Sequence, residues 1–278
     1  VSEGGRGTNL IRRAAVGVIA IPAILLLSWA GGWWFIVLVA AIVFVGLLEF
    51  YRMARAKGER PLTGLGAVGG AVLCMGASVG EAEGALALMV GLILVGTLLW
   101  RPRGETLSTA AVTLVGLVWV GWMGSHLVLL RELPEIQGVP YGVGARYVWL
   151  TLALTWTGDT AAYAVGSLWG RHPLFPRVSP RKSIEGALGA VVGCLVMGGM
   201  ARAWFAPFLG APDVVILGVG VAVVSQAGDF AESMIKREAG VKDASNAIPG
   251  HGGILDRFDS MLFSAPFVFY YIRLFVIG

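Results

Sequence analysis

Residues 233–259 read Ser-Met-Ile-Lys-Arg-Glu-Ala-Gly-Val-Lys-Asp-Ala-Ser-Asn-Ala-Ile-Pro-Gly-His-Gly-Gly-Ile-Leu-Asp-Arg-Phe-Asp, a charged and glycine-rich stretch between two strongly apolar runs. Asp229, Glu232 and Lys236 are spaced i, i+3 and i+7, so on a helix they share one face. Asp256 and Asp259 repeat the i, i+3 spacing where the next apolar run begins. An acidic pair in a first turn suits the helix dipole, so capping is one account of it. Capping leaves Asp229 unexplained on the neighbouring helix, facing the same loop. Carboxylates offered by two helices at one level make an oxygen site for a hard cation, and magnesium suits it.

Bases surround these acids: Lys236, Arg237, Lys242 and Arg257. Gly250, Gly252 and Gly253 flank His251 just before the final apolar run. Unshielded N–H groups ahead of a helix N-terminus attract anions. Together with a divalent ion and the bases, the turn suits a polyphosphate. For His251, phosphate contact or helix-end packing is expected rather than base catalysis. A second cluster, Ser179-Pro180-Arg181-Lys182-Ser183-Ile184-Glu185-Gly186, opens another apolar run, where Ser183 or Pro180 would also serve as a helix cap. Lys182, Lys236 and Lys242 are three of only four lysines in a chain otherwise using arginine. A compact ammonium meets phosphate differently from a planar guanidinium fork. Asp159 sits inside an apolar run, and ionisable groups at membrane depth are functional by default. Cys74 and Cys194 have no partner spacing and read as packing residues.

The elements that must hold these groups are membrane helices. The 278 residues are 56% hydrophobic and 14% charged, with a mean hydropathy of +0.77, whereas soluble domains carry about a quarter charged residues. Nine stretches approach the roughly 20 apolar residues a spanning helix needs: 14–30, 32–48, 64–80, 85–100, 108–130, 147–169, 184–206, 214–235 and 258–277. The expected fold is therefore an all-α integral membrane protein of about nine transmembrane helices. Residues 1–130 form an anchor or scaffold with potential dimer contacts, and 131–146 an extracytoplasmic connector. Residues 147–278 form the catalytic region, with cytoplasmic loops 170–183 and 236–257. All bases except Arg131, Arg146, Arg202 and Arg273 fall on one face under this threading, which places the N-terminus in the cytoplasm and the C-terminus outside. That bias also accounts for the net charge of +4, with no need of nucleic acid. Arg12 and Arg13 before an apolar run resemble a signal peptide, but the second run following Gly31 and Gly32 favours a retained hairpin. Gly66 with Gly70, and Gly189 with Gly193, are small-residue pairs expected to pack helices within the chain.

Ser233-x-Ile235-Lys236-Arg237, then Lys242-Asp243, then Pro249-Gly250-His251-Gly252-Gly253-Ile254-x-Asp256-Arg257-Phe258-Asp259 resembles the signature of the phosphatidate cytidylyltransferases (CDP-diacylglycerol synthases). Ser179 to Gly186, Gly158-Asp159 and Gln226 to Ser233 are similar to the same family, so the resemblance covers about residues 155–262. It implies transfer of CMP from CTP to phosphatidate in the cytoplasmic (inner) membrane, dependence on Mg2+, and a homodimer. By similarity Asp229 and Asp256 hold the metal, in a single centre or one paired with a monovalent ion such as K+. Asp259, Asp159, Glu232, Glu185 and Asp243 are further acids of the site. Lys236, Arg237, Lys242 and Arg257 are expected to neutralise the triphosphate, with Gly250, His251, Gly252, Gly253 and Ser183 beside it. Lys182 and Ser179 would steer the lipid head group or assist the triphosphate. Two rival readings remain at this point. One is a CTP-dependent enzyme of another lipid or prenyl phosphate. The other is a secondary transporter, which would hold its acids near the midplane.

Overall fold

A computed structural model describes residues 3–100, 106–176, 178–245, 247 and 252–277, with side chains from Gly17 onward except at 100, 136 and 137. Apolar runs of this length become helices because lipid offers no partner for backbone N–H and C=O groups. The order is α1 (Glu3–Ala30), α2 (Gly32–Ala56), α3 (Thr63–Ser78), α4 (Ala82–Trp100) and α5 (Thr106–Gly116). A π-helical stretch, Leu117–Trp122, carries α5 into α6 (Met123–Gln137). There follow α7 (Val143–Trp169), a hairpin of β1 (Pro173–Phe175) and β2 (Ser179–Ser183), α8 (Ile184–Trp204), α9 (Ala211–Glu238) and α10 (Leu255–Tyr271), which ends in a π-helical turn, Ile272–Val276.

Helices cover most of each of the nine apolar stretches among the described residues. Six segments are long and apolar enough to cross a membrane: Gly32–Ala56, Ala82–Leu99, Thr106–Glu135, Ile184–Trp204, Ala211–Glu238 and Leu255–Val276. Gly17–Ala30 and Thr63–Ser78 are shorter apolar helices. α7 is long, but Thr151, Thr155, Asp159 and Thr160 dilute its apolar run. An all-helical, multi-pass membrane architecture fits these lengths.

Glycine sets the closest helix seams. A Cβ on Gly66 or Gly70 of α3 would come within 2.3 Å of Tyr51 or Leu47 of α2. One on Gly189 or Gly193 of α8 would lie 2.6 Å from Val165 or Ala161 of α7. Both small-residue pairs therefore pack helices of this same chain. Cys74 and Cys194 are buried and unpaired.

The two ends of the bundle differ. At one end Arg131, 1% exposed, donates to the carbonyls of Ser28 (2.6 Å), Tyr141 (3.1 Å) and Trp29 (3.2 Å), closing the C-terminal end of α1. The Tyr141 hydroxyl donates to Glu132 (3.0 Å) and accepts from Gly32 N–H (2.8 Å), while Tyr271 donates to Asp213 (2.7 Å). The expected connector at 131–146 is thus corrected. α6 runs through Gln137, only residues 138–142 separate it from α7, and Arg131 is a buried clamp rather than a loop charge. It is satisfied there because it caps orphan carbonyls instead of meeting water.

At the other end, the C-terminal ends of α2 and α9 meet, marked by an exposed Lys57–Glu238 pair at 3.8 Å. The β hairpin and the start of α10 lie at this end too. The loop expected at 170–183 is therefore ordered as two antiparallel strands, with Pro173 opposite Ser183 and Phe175 opposite Ser179.

Candidate active site

α9 carries Asp229, Glu232 and Lys236 toward α10 on one face, as their spacing requires. Gly228 permits the approach, since a Cβ there would sit 2.5 Å from the Asp259 carbonyl and 2.9 Å from the Phe263 ring. Lys236 Nζ bridges the helices, donating to Glu232 Oε2 (2.6 Å) and Asp256 Oδ1 (2.7 Å). Glu232 is fully buried and the Asp256 side chain is 4% exposed. The other oxygen of Asp256 accepts from Gly253 N–H (2.8 Å) and Ala244 N–H (2.9 Å), so this one side chain organises the loop before α10. Gly252 has a φ of 82°, a left-handed turn that glycine adopts without strain.

The hairpin brings the second lysine. Lys182 pairs with Asp229 and lies 4.3 Å over the Phe230 ring, while Phe175 packs edge-on against Phe230 at 5.0 Å. Asp229 also accepts from Ser233 Oγ at 3.4 Å. Asp159 of α7 is exposed, 3.5 Å from Ser260 Oγ, and within electrostatic reach of Asp229 and Lys182. Asp259 is buried beside Glu232 and feels the charges of Asp229 and Asp159. Beyond Lys236, Ser233, Arg237, Val241 and Lys242 line an open cavity of about 250 Å³. Arg257 and Asp243 are exposed, and Ser179 is half-buried in β2.

Five acids from three helices thus face two lysines, and among the described residues Glu232 Oε1 has no hydrogen-bond partner. An acceptor excess with an orphaned buried oxygen suits a cation. Among the described residues no three His, Cys, Asp or Glu side chains close into a cage by themselves. Magnesium does not need one, because it commonly takes one or two carboxylates and completes its shell with water and substrate phosphates.

Three expected roles shift. The Gly253 N–H is given to Asp256, and those of Ile254 and Leu255 to Glu49 of α2 (3.1 and 2.7 Å), so the start of α10 is closed by the chain's own acids rather than open to anions. Ser183 caps α8, its hydroxyl accepting from Gly186 N–H at 3.1 Å. Glu185 secures the hairpin through the N–H groups of Arg171 (3.1 Å) and His172 (3.3 Å) and His172 Nδ1 (2.6 Å). Gly250 and His251 lie outside the described residues. Glu49 was invisible to the motif reading because it falls one residue past the apolar stretch 32–48 and reads as an end-of-helix charge before Arg52. Its signal was an acid inside an α2 sequence that stays apolar on both sides of it.

The sequence profile of the Cytidylyltransferase family matches residues 11–275. The chain belongs to that family. Among cytidylyltransferase relatives, a phosphatidate cytidylyltransferase of Synechocystis sp. is 35% identical over 289 residues, spanning 96% of this chain and 97% of its own. One of Bacillus subtilis is 31% identical over 275 residues, spanning 96% and 99%. One of Aquifex aeolicus is 42% identical over 146 residues, about half of each chain. The family match thus extends over the N-terminal helices as well as the motif region.

Proposed function

We propose that this cytidylyltransferase joins CTP to phosphatidate, releasing pyrophosphate and leaving CDP-diacylglycerol in the bilayer. The observation that carries the reading is the meeting of five acids, two half-buried lysines and a base-lined cavity at one end of the helix bundle, in a chain whose near-full-length relatives are named phosphatidate cytidylyltransferase.

The reaction needs little proton transfer. A phosphate monoester is already largely dianionic near neutrality, its second pKa being about 6. Its oxygen attacks the α-phosphorus of CTP, and the bond from that phosphorus to the β-phosphate oxygen breaks. The obstacle is mutual repulsion, so positioning and charge neutralisation supply most of the help. Lys236, Arg237 and Lys242 surround a cavity that suits the departing pyrophosphate. Lys182, on the hairpin within electrostatic reach of Asp159, would draw the lipid phosphate toward the acid cluster or assist the triphosphate. A Mg2+ ion held by Asp229 and Asp256 would offset phosphate charge, with Asp159, Glu232 and Asp259 adding negative potential around it and a monovalent ion such as K+ as a second occupant.

The base-rich end is assigned to the cytoplasm by the positive-inside rule, with nine spans, an inner-membrane location and a homodimer completing the reading. The acyl chains stay in the bilayer, since leaving it costs about 0.8 kcal/mol per CH₂, while CTP arrives from water. The test is purified protein in mixed micelles with phosphatidate and labelled CTP. Label is expected to enter a CDP-lipid, to stop with chelator and to return with magnesium. Label transferred only to another lipid or prenyl phosphate, or transfer indifferent to chelation, would overturn the corresponding part of the reading.

A further inference from the structure

Glu49 belongs to α2, far in sequence from the charged motifs, and is 2% exposed. Its Oε1 accepts from Ser245 Oγ and from Ile254 N–H at 3.1 Å, and its Oε2 from Leu255 N–H at 2.7 Å. A Cβ on Gly253 would lie 2.7 Å from Glu49 Oε2, so the loop backbone rests directly on this carboxyl group. On the other side of the same loop, Asp256 accepts from Gly253 and Ala244. Ala244, Ser245, Gly253, Ile254 and Leu255 are therefore gripped by two acids, one from each half of the chain, and Asp256 also holds Lys236.

We propose that Glu49 is a positioning residue for nucleotidyl transfer. It does not touch substrate. It fixes the start of α10, from which Asp256 reaches Lys236 of α9, and so makes α2 part of the catalytic apparatus. Buried N–H groups at a helix start need acceptors, and here the acceptor that satisfies them also sets the height of Asp256 in the cleft. The inference rests on the transferase reading for its kinetic arm only.

The experiment compares full-length wild type, Glu49→Ala and Glu49→Gln in detergent by three measurements: kcat and KM in the CTP–phosphatidate assay, melting temperature, and the rate of trypsin cleavage after Lys242. A misplacement of about 1 Å at a reacting group lowers rate about 100-fold, which is the kcat loss expected of Glu49→Ala, with KM for phosphatidate unchanged. Cleavage after Lys242 should accelerate. Gln keeps one acceptor oxygen but turns an N–H toward another donor, so Glu49→Gln should recover part of kcat and part of the protease resistance. If Glu49→Ala does not fold, Glu49→Gln decides: lowered kcat at native melting temperature supports the proposal. Wild-type kcat and cleavage rate in the folded variants overturn it, as does a kcat loss that only follows a fallen melting temperature. A wild type that makes no CDP-lipid refutes the transferase reading instead, while the trypsin comparison still reports on the grip of Glu49.

Discussion

Lys236 shows at the level of one side chain why the acid cluster holds together. Its ammonium lies between the buried carboxyl groups of Glu232 and Asp256, on two different helices. Removing one partner of a buried ion pair costs about 3–5 kcal/mol because the other is left uncompensated. Lys236→Met should accordingly lower the melting temperature markedly and abolish transfer. Adding Glu232→Gln should restore much of the stability and none of the activity, as melting curves and the transfer assay would show. The i, i+3, i+7 spacing made the shared face of Asp229, Glu232 and Lys236 readable from sequence alone. The partner of each group was not readable. Asp229 takes Lys182, which is 47 positions away, and Asp256 takes Lys236 and two loop N–H groups. Spacing fixes direction on one helix and says nothing about which helix lies opposite.

Among the elements, the β1–β2 hairpin carries the least expected structure and a clear duty. It delivers Lys182 to Asp229 and is tied down by the Phe175–Phe230 contact and by Glu185 across its base. An edge-on aromatic pair contributes about 0.5–1.5 kcal/mol beyond its burial. Phe175→Ala should therefore free the hairpin and raise KM for phosphatidate about tenfold, the change corresponding to about 1.4 kcal/mol. The melting temperature should stay near wild type, since the helix seams are untouched, and steady-state kinetics with a thermal melt would check both. A hairpin this short has almost no apolar alternation to announce it, so the sequence read as a plain loop. The helices were far easier to read, because each long apolar run has one way to satisfy its backbone in lipid.

Across the whole molecule the chemistry gathers at one end and a clamp closes the other. Arg131 holds three carbonyls of other segments and, among the described residues, no carboxylate at hydrogen-bonding distance, and its role is mechanical. Arg131→Met should lower the melting temperature by several degrees, because the buried Ser28 carbonyl would be left unsatisfied, at a cost of about 1–3 kcal/mol. KM for CTP should not move, since the clamp and the acids sit at opposite ends of the bundle. The sequence by itself determined a helical membrane protein, the end on which its charges collect, and the motif whose acids and bases suit a nucleotide. Those follow from composition and period, which are local properties of the chain. Tertiary structure alone decided that α10 begins on Glu49 of α2, that Lys182 reaches Asp229 from a hairpin, and that the N–H groups of Gly253, Ile254 and Leu255 go to the chain's own carboxyl groups. These contacts join segments up to about 200 residues apart, and no local pattern encodes a distance that only the packed bundle closes.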